Sequence, residues 1–501
     1  MKVLLVYPRY PETFWNMRHA LKFISKKAAF TPLGLLTVAS LLPGAWAKKL
    51  VDMNTDKLKD KDLEWADYVL ISAMDIQKDS ARDVIARCNS LGRKVVAGGP
   101  LFTTGHEDFT GVDHFVLGEG EVTVPRFLAD LEKGCAAPVY QSDERPDISL
   151  SPVPMWELVD IKKYAAASLQ YSRGCPHDCE FCDIVLLNGR VPRTKGAAQL
   201  IREMDAIYRL GWRDSLFVVD DNFIGNKNRL KTEILPAVVE WMKERHYPFA
   251  LLTQVSVKLA DDEELMRLMI QAGFDTVFVG VETPNEESLG ECGKKQNIDR
   301  DLLETIKTMQ NHGFLVHAGF IVGFDSDPKN IFERQISFIQ KSGIAGAMVG
   351  LLKAPKGTKL YKRLKGEDRL TKEWSGDAVD LTTNFVPKMG SEKLVAGYKH
   401  IVSSTYAPRP YYARITTFLK AYRSSIHPRK APVTASEVGA LIKSAWYIGI
   451  REKGQHYYWR LMISTLFRRP RSFHMAVMLS IYGYHFRKVM AGHSRPAVSR
   501  A

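Results

Sequence analysis

Along the first 370 residues, short apolar runs alternate with longer stretches whose apolar positions recur every three or four residues. Val3–Tyr7, Lys49–Met53, Tyr68–Ala73, Val95–Gly98 and His114–Leu117 have the length and composition of buried strands. Pro32–Leu42, Gln77–Leu91 and Val122–Glu132 have the spacing of helices between them. Strands alternating with helices predict a parallel, doubly wound, Rossmann-like sheet over residues 1–140. Ligands of such sheets sit beyond the carboxyl ends of the strands, where glycine admits a close backbone approach. Three loops fit that place: the one after Tyr7, Gly98-Gly99-Pro100, and Gly118-Glu119-Gly120-Glu121. Residues 141–166 read as a linker, because Pro146, Pro152 and Pro154 break any helix there.

The alternation restarts at residue 167. Ala167–Tyr171, Ser215–Val219, Phe249–Val255, Thr276–Val281, Leu315–Val322 and Ala347–Leu352 are predicted strands. Helices at Ala197–Leu210, Leu230–Arg245, Asp262–Ala272, Arg300–His312 and Lys329–Lys341 fill the gaps. Over residues 167–370 this predicts a barrel-like β/α unit, whose catalytic groups gather at the carboxyl ends of the strands. After Leu370 the strand pattern stops, and residues 371–501 read as helices and loops rich in aromatics. The fold class is therefore α/β with a mainly helical tail.

Cysteine use sharpens the picture. Three of the six cysteines, Cys175, Cys179 and Cys182, fall in one short loop after the first strand of the second unit. Cys88, Cys135 and Cys292 are scattered singly. Three close thiolates suit a soft metal centre. A zinc site or an ordinary four-cysteine cluster would want a fourth ligand. The economical reading is a [4Fe-4S] cluster held by three cysteines, with one iron open. A zinc site completed by His177 is the alternative, made awkward by the position of His177 between two of the cysteines. Sparse cysteine, three loop thiols that do not pair evenly and a strand-like rather than signal-like start argue against disulfides. The expected compartment is a reducing cytoplasm, and no 18-residue apolar run predicts a membrane span.

The segment Tyr171–Cys182, with Phe181 just before the last cysteine, resembles the signature loop of the radical S-adenosylmethionine (SAM) enzymes. That resemblance implies a partial (β/α)6 barrel and SAM chelating the open iron. It also implies SAM contacts at Asp221, Gln254, Ser256 and Glu282, along the Gly319–Gly323 strand, and in the loop 354–358. No catalytic residue is singled out. The first unit resembles the cobalamin-binding domain that precedes many of these enzymes. The residues carrying that likeness are 32–36, Val51-Asp52, the Gly98-Gly99-Pro100 turn and the 118–121 turn. Gly98, Gly99, Gly118, Glu119 and Gly120 become the implied cobalamin contacts. The D-x-H-x-x-G motif is absent, so no histidine is expected on the lower face of cobalt. The last unit resembles the C-terminal domain of a cobalamin-binding radical SAM subgroup that includes the hopanoid methylase. The implied reaction is one-electron cleavage of SAM followed by methylation of an unactivated carbon, with a lipid as substrate. An electron donor such as flavodoxin or ferredoxin is implied with it. Cyclisation or rearrangement without methyl transfer is the alternative enzyme reading, and a non-catalytic cofactor sensor the alternative of another class.

Charge adds one more expectation. The formal net charge is +14, and residues 401–501 hold 17 Lys and Arg against only Glu437 and Glu452. The positive excess thus belongs to the helical tail. A basic, aromatic-rich helical tail can lie on an anionic membrane surface, bind nucleic-acid phosphates or form a solvated face over the core; the subgroup resemblance, more than the charge, implies peripheral contact with the inner face of a membrane.

Overall fold

A computed structural model of the chain describes residues 1–371, 376, 380–423 and 435–493. Among them run fifteen strands in chain order. They are β1 (Lys2–Tyr7), β2 (Ala28–Phe30), β3 (Ala47–Asp52), β4 (Tyr68–Ser72), β5 (Lys94–Gly98), β6 (His114–Val116), β7 (Val139–Tyr140) and β8 (Tyr164–Leu169). Then follow β9 (Ser172–Arg173), β10 (Arg193–Thr194), β11 (Ser215–Val218), β12 (Ala250–Val255), β13 (Phe274–Glu282), β14 (Leu315–Val322) and β15 (Ala347–Leu351).

The first sheet has the order β3-β1-β4-β5-β6-β7, and every pairing is parallel. Its two faces carry separate cores. One is built on Leu4, Val6, Val69 and Ile71, the other on Val3, Leu5, Leu70 and Val96. Alternate residues of the same strands enter opposite cores, as a strand buried on both faces requires.

The second sheet is also parallel, in the order β2-β8-β11-β12-β13-β14-β15. Six of its strands are those the pattern marks. The seventh is a correction: Ala28–Phe30, expected inside the first unit, pairs with β8 instead. A three-residue run is too short to show a period, and no local signal says which sheet it joins. A second difference is at β8, which ends at Leu169 and frees Gln170 and Tyr171 to lead into the cysteine loop.

The sheet is a half-barrel with two open edges. Val277, Val279 and Val281 point outward into the core shared with the helices, so Phe278 and Gly280 point inward. On β14, Phe320 packs on Phe338 of the helix Ile331–Ser342, which leaves His317, Gly319 and Ile321 on the inner face. The tail covers the open side. Its helices are Ser391–Tyr406, Pro408–Ala421, Ala435–Tyr447, Gln455–Arg468 and Phe473–His493. Tyr406 donates to Ala347 O on edge strand β15 at 2.6 Å. Phe486 stacks on Phe14 at 4.3 Å between centroids, and the His485 ring bonds Phe14 O at 3.0 Å. Tyr398, Ile401, Tyr411, Leu461 and Phe486 belong to the same core as β11–β15. The change near residue 370 is therefore one of secondary structure, not of hydrophobic core.

Candidate active site between two facing sheets

The cysteine loop leaves β8 and is fixed from three sides. Tyr171 N–H and the Ser172 hydroxyl donate to the buried Asp220, at 2.8 and 2.6 Å. Gly174 N–H and Asn188 Nδ2 donate to Asp221 Oδ2, at 3.0 and 2.9 Å. Glu180 N–H donates to Cys292 O at 2.9 Å, and Arg363 grips the Glu180 carboxylate at 2.7 Å. Inside the loop Cys182 N–H bonds Cys179 O at 3.1 Å. Burial raises the thiols of Cys175 and Cys179 above the ordinary thiol value, and Cys182 well above it. None of the six cysteines is paired in a disulfide.

These residues fit an iron–sulfur cluster. Among the described residues no three His, Cys, Asp or Glu side chains are gathered tightly enough to hold a single metal ion. A cluster takes each thiolate on a different iron, so its ligands stand further apart than those of a mononuclear site. His177 is held neutral, pushed down to about 4 by burial and then by Lys294 and Lys258. Cys292, single in the sequence, is brought to the loop by the fold. It lies buried behind the loop, where burial and then the charge of Glu282 and Cys179 push its thiol up to about 12.

The inner face of the barrel runs down from the loop. Glu282 has a left-handed φ of 64°, at a register shift between Gly280 and its strand end. Its carboxylate folds back over Gly280, where an added Cβ would stand 2.4 Å from Glu282 Oε1 and 2.7 Å from Lys294 Nζ. Only glycine leaves room for that pair, whose own contact is 2.6 Å. Burial alone would favour neutral Lys294, but the charge of Glu282 holds its proton on. Below this pair lies an apolar stretch. Phe278 pairs in register with His317, and Gly319 leaves space against the Phe278 ring. Trp15 packs on Phe278 at 4.8 Å from the amino-terminal loop, and Tyr482 approaches His317 at 5.9 Å from the last helix. Burial holds His317 neutral, down to about 4.

The other expected positions separate. Gln254 is partly buried on β12, in register with Phe278. Ser256 follows the end of β12, its N–H bonded to Asn222 at 3.1 Å. Gly319 is on the inner face of β14 and Gly323 just beyond it, its N–H bonded to Asp327 at 2.8 Å. Gly98, Gly99, Gly118 and Gly120 all lie at the carboxyl end of the first sheet.

Glu119, from the same turn, reaches across to the second unit. Its carboxylate takes Arg193 at 2.6 and 2.9 Å and Arg173 at 2.7 Å. Glu121 takes Arg173 at 2.8 and 2.9 Å, and Ser151 adds a further hydrogen bond. The two arginines are cross-strand neighbours on β9 and β10, a like-charge pair that needs these carboxylates. Burial would raise the Glu121 carboxyl, but Arg173 outweighs it and holds it down at about 2. The residue pattern contains the acidic turn and Arg173 beside Gly174, but nothing in it pairs them. Lys294, Trp15 and Tyr482 carry no motif at all.

The network shows how the two units meet. The carboxyl end of the first sheet faces the cysteine loop. Asp75, after β4, is pushed up to about 6 by burial and then by Asp183, the neighbour of Cys182. Lys356, after β15, lies 3.7 Å from Glu107.

Two parallel sheets with facing carboxyl ends, one bearing a three-thiol loop, define a cobalamin-binding radical SAM architecture. Family models agree: a B12 binding domain matches residues 24–128, the radical SAM superfamily 169–339, and a domain of unknown function 358–496. An uncharacterised methyltransferase of Synechocystis sp. is 38% identical over 97% of this chain and 91% of its own length. The hopanoid C-2 methylase of Rhodopseudomonas palustris is 33% identical over 93% of this chain and 90% of its own. The chain superposes with TM-score 0.62 on OxsB, a cobalamin-dependent radical SAM enzyme solved with aqua-cobalamin and SAM bound. That match has 16% identity and covers 98% of this chain and 79% of OxsB. The chain belongs to the cobalamin-binding radical SAM methyltransferase family that includes these two relatives. It is an enzyme of that class, and its cofactors are a [4Fe-4S] cluster, SAM and cobalamin.

Proposed function

We propose that the chain methylates an unactivated carbon of a lipid. The observation that carries this reading is the apolar inner wall of Trp15, Phe278 and Tyr482, directly below the charged top of the half-barrel. The relationship to a hopanoid methylase supports it. The bound cofactors would supply one-electron cleavage of SAM and a transferable methyl group. The residues do the rest. Cys175, Cys179 and Cys182 hold the cluster, and Asp220 and Asp221 set the shape of their loop. Glu282, Gln254, Ser256, Gly319 and Gly323 line the place for SAM, with Asp221 at its edge. Lys294 places a positive charge beside the thiolates and in front of Glu282. Gly98, Gly99, Gly118 and Gly120 offer backbone to cobalamin, and Glu119 ties that sheet to the cluster loop. Three functional units follow: residues 1–140 without β2, residues 164–370 with it, and the helical tail. A flavodoxin or ferredoxin supplies the electron, and a membrane surface supplies the substrate.

The test is to incubate reconstituted protein with reductant, SAM and a total lipid extract. Both 5′-deoxyadenosine and S-adenosylhomocysteine are expected, together with a lipid heavier by one methylene. With a true substrate present, 5′-deoxyadenosine without S-adenosylhomocysteine would sink methyl transfer. Comparing lipids of cells with and without the protein by mass spectrometry identifies that substrate. An unchanged lipid profile would sink the lipid.

A further inference from the structure

We infer that the outward faces of helices Ala435–Tyr447 and Gln455–Arg468 form a docking surface for an anionic lipid bilayer. Among the described residues, nine of the eighteen exposed large apolar side chains lie between residues 438 and 467. They are not scattered. On the first helix Ala440 and Ser444 face inward, while Val438, Ile442 and Trp446 recur every fourth residue on the outside and Ile450 extends the line. On the second, Tyr458, Leu461, Met462 and Thr465 face the core. Trp459, Ile463, Leu466 and Phe467 occupy the opposite side, and Phe467 is 80% exposed. A surface helix ordinarily turns polar residues outward. Here both helices are apolar on the face that, among the described residues, no other element covers, and such a patch marks an interaction site. Trp459 Nε1 donates to Gly449 O at 2.9 Å, which brings the end of the first stripe onto the second.

The rim decides the occupant. Residues 435–493 contain nine Lys and Arg but only Glu437 and Glu452, and Glu452 already bonds Lys488 at 2.6 Å. Arg451, Lys453, Arg460, Arg468 and Arg471 are exposed. Cations around an apolar face match anionic headgroups above acyl chains, and tryptophan suits the boundary between them. A second copy of this chain would set like charges against each other. Among the described residues no helix is long and apolar enough to cross a membrane, so the face lies on the bilayer. Its position also serves the site. Lys443 Nζ bonds the carbonyls of Lys22 and Phe23, and Phe23 packs on Tyr447 and Tyr484. The same amino-terminal segment carries Trp15 to the inner wall. The lipid-substrate reading gives the docking a purpose; the docking itself rests on the apolar stripes and their charge.

The test is flotation of the full-length protein with phosphatidylcholine vesicles, with and without phosphatidylglycerol. Neither SAM nor reductant is added, so this result and that of the lipid-methylation assay stand or fall separately. Binding should need phosphatidylglycerol and weaken about tenfold in high salt. The pair Ile463→Asp and Phe467→Asp should lower it at least about tenfold, with iron content and thermal midpoint unchanged. Lys453→Gln with Arg471→Gln, which leaves the apolar face intact, should weaken binding less than the aspartates do and reduce its salt dependence. Wild-type protein that fails to float overturns the inference, as does flotation indifferent to the aspartates. So does a wild-type dimer that the aspartates split without any vesicle binding, which would assign the face to a second copy.

Discussion

The two parallel sheets are built alike and used differently. Each presents the carboxyl ends of its strands to the other, and each was marked by the same alternation of strand and helix. The first offers mainly backbone at that end: Gly98, Gly99, Gly118 and Gly120. The second offers side chains: three thiols, the Glu282–Lys294 pair and an apolar inner wall. A large, preformed cofactor needs close approach, which glycine gives. A cluster and a reacting substrate need ligands and charge, which only side chains give. The charged groups the first sheet does possess, Glu119 and Glu121, are turned on the second sheet's arginines. They serve to position one sheet against the other.

The contrast can be broken one side at a time. The largest effect is expected from Cys179→Ala, which removes a thiolate from the second sheet only. Iron content and the visible absorption of the reconstituted cluster should be lost, while bound cobalamin remains. Retention of full iron and absorption would mean that the ligand assignment is wrong. Gly99→Val should do the reverse. Gly99 has φ of 86°, and an added Cβ would stand 2.5 Å from Ser72 Oγ, so cobalamin should be lost and iron kept. If cobalt binding survives, the turn is not where cobalamin sits. Arg173→Met strikes the junction and leaves two buried carboxylates short of a partner. It should cost about 3–5 kcal/mol in unfolding free energy, and adding Glu121→Gln should restore part of it. Additive effects would deny the clamp.

Two smaller expectations sharpen the comparison. His485 joins the last helix to the amino-terminal loop and is held down at about 4, first by burial and against its bond to Phe14 O. Its proton binds the unfolded chain first. Stability should therefore be full above about 6.5, where the unfolded histidine is neutral, and should fall as pH drops toward 4. His177 and His317 are held down alike, so His485→Gln should lessen the fall of the thermal midpoint over that window without abolishing it, and an unchanged slope would place the acid sensitivity elsewhere. The exposed Arg126–Glu144 pair, at 3.1 Å on the first unit, is the control. Arg126→Met should cost less than about 1 kcal/mol. A loss as large as that of Arg173→Met would erase the distinction between clamp and surface.

Much of the fold is legible because period and composition act locally. The strands of both sheets, apart from β2 and the two-residue strands, are visible as apolar runs. The cysteine loop is visible as spacing. What stays hidden is whatever depends on meeting a partner far along the chain. Ala28–Phe30 is too short to announce a sheet. Cys292 lies over a hundred residues from Cys179 yet sits behind its loop. Nothing near Glu119 in the chain announces that Arg173 and Arg193 reach its carboxylate. The tail's positive charge is plain in the composition, but its apolar outer face is not. Helical positions such as Ile463 and Met462 look equally apolar in the chain, and only packing decides which one is buried.

The sequence by itself determined the two α/β units, the helical tail, the three thiols and the excess of cations, because each follows from neighbouring residues. Tertiary structure alone decided which charges are spent holding the sheets together, which aromatics line the barrel and which apolar stripe is left outside. Those outcomes depend on long-range contacts, and burial sets their energies: it makes an unpaired charge costly and an exposed apolar face a binding site.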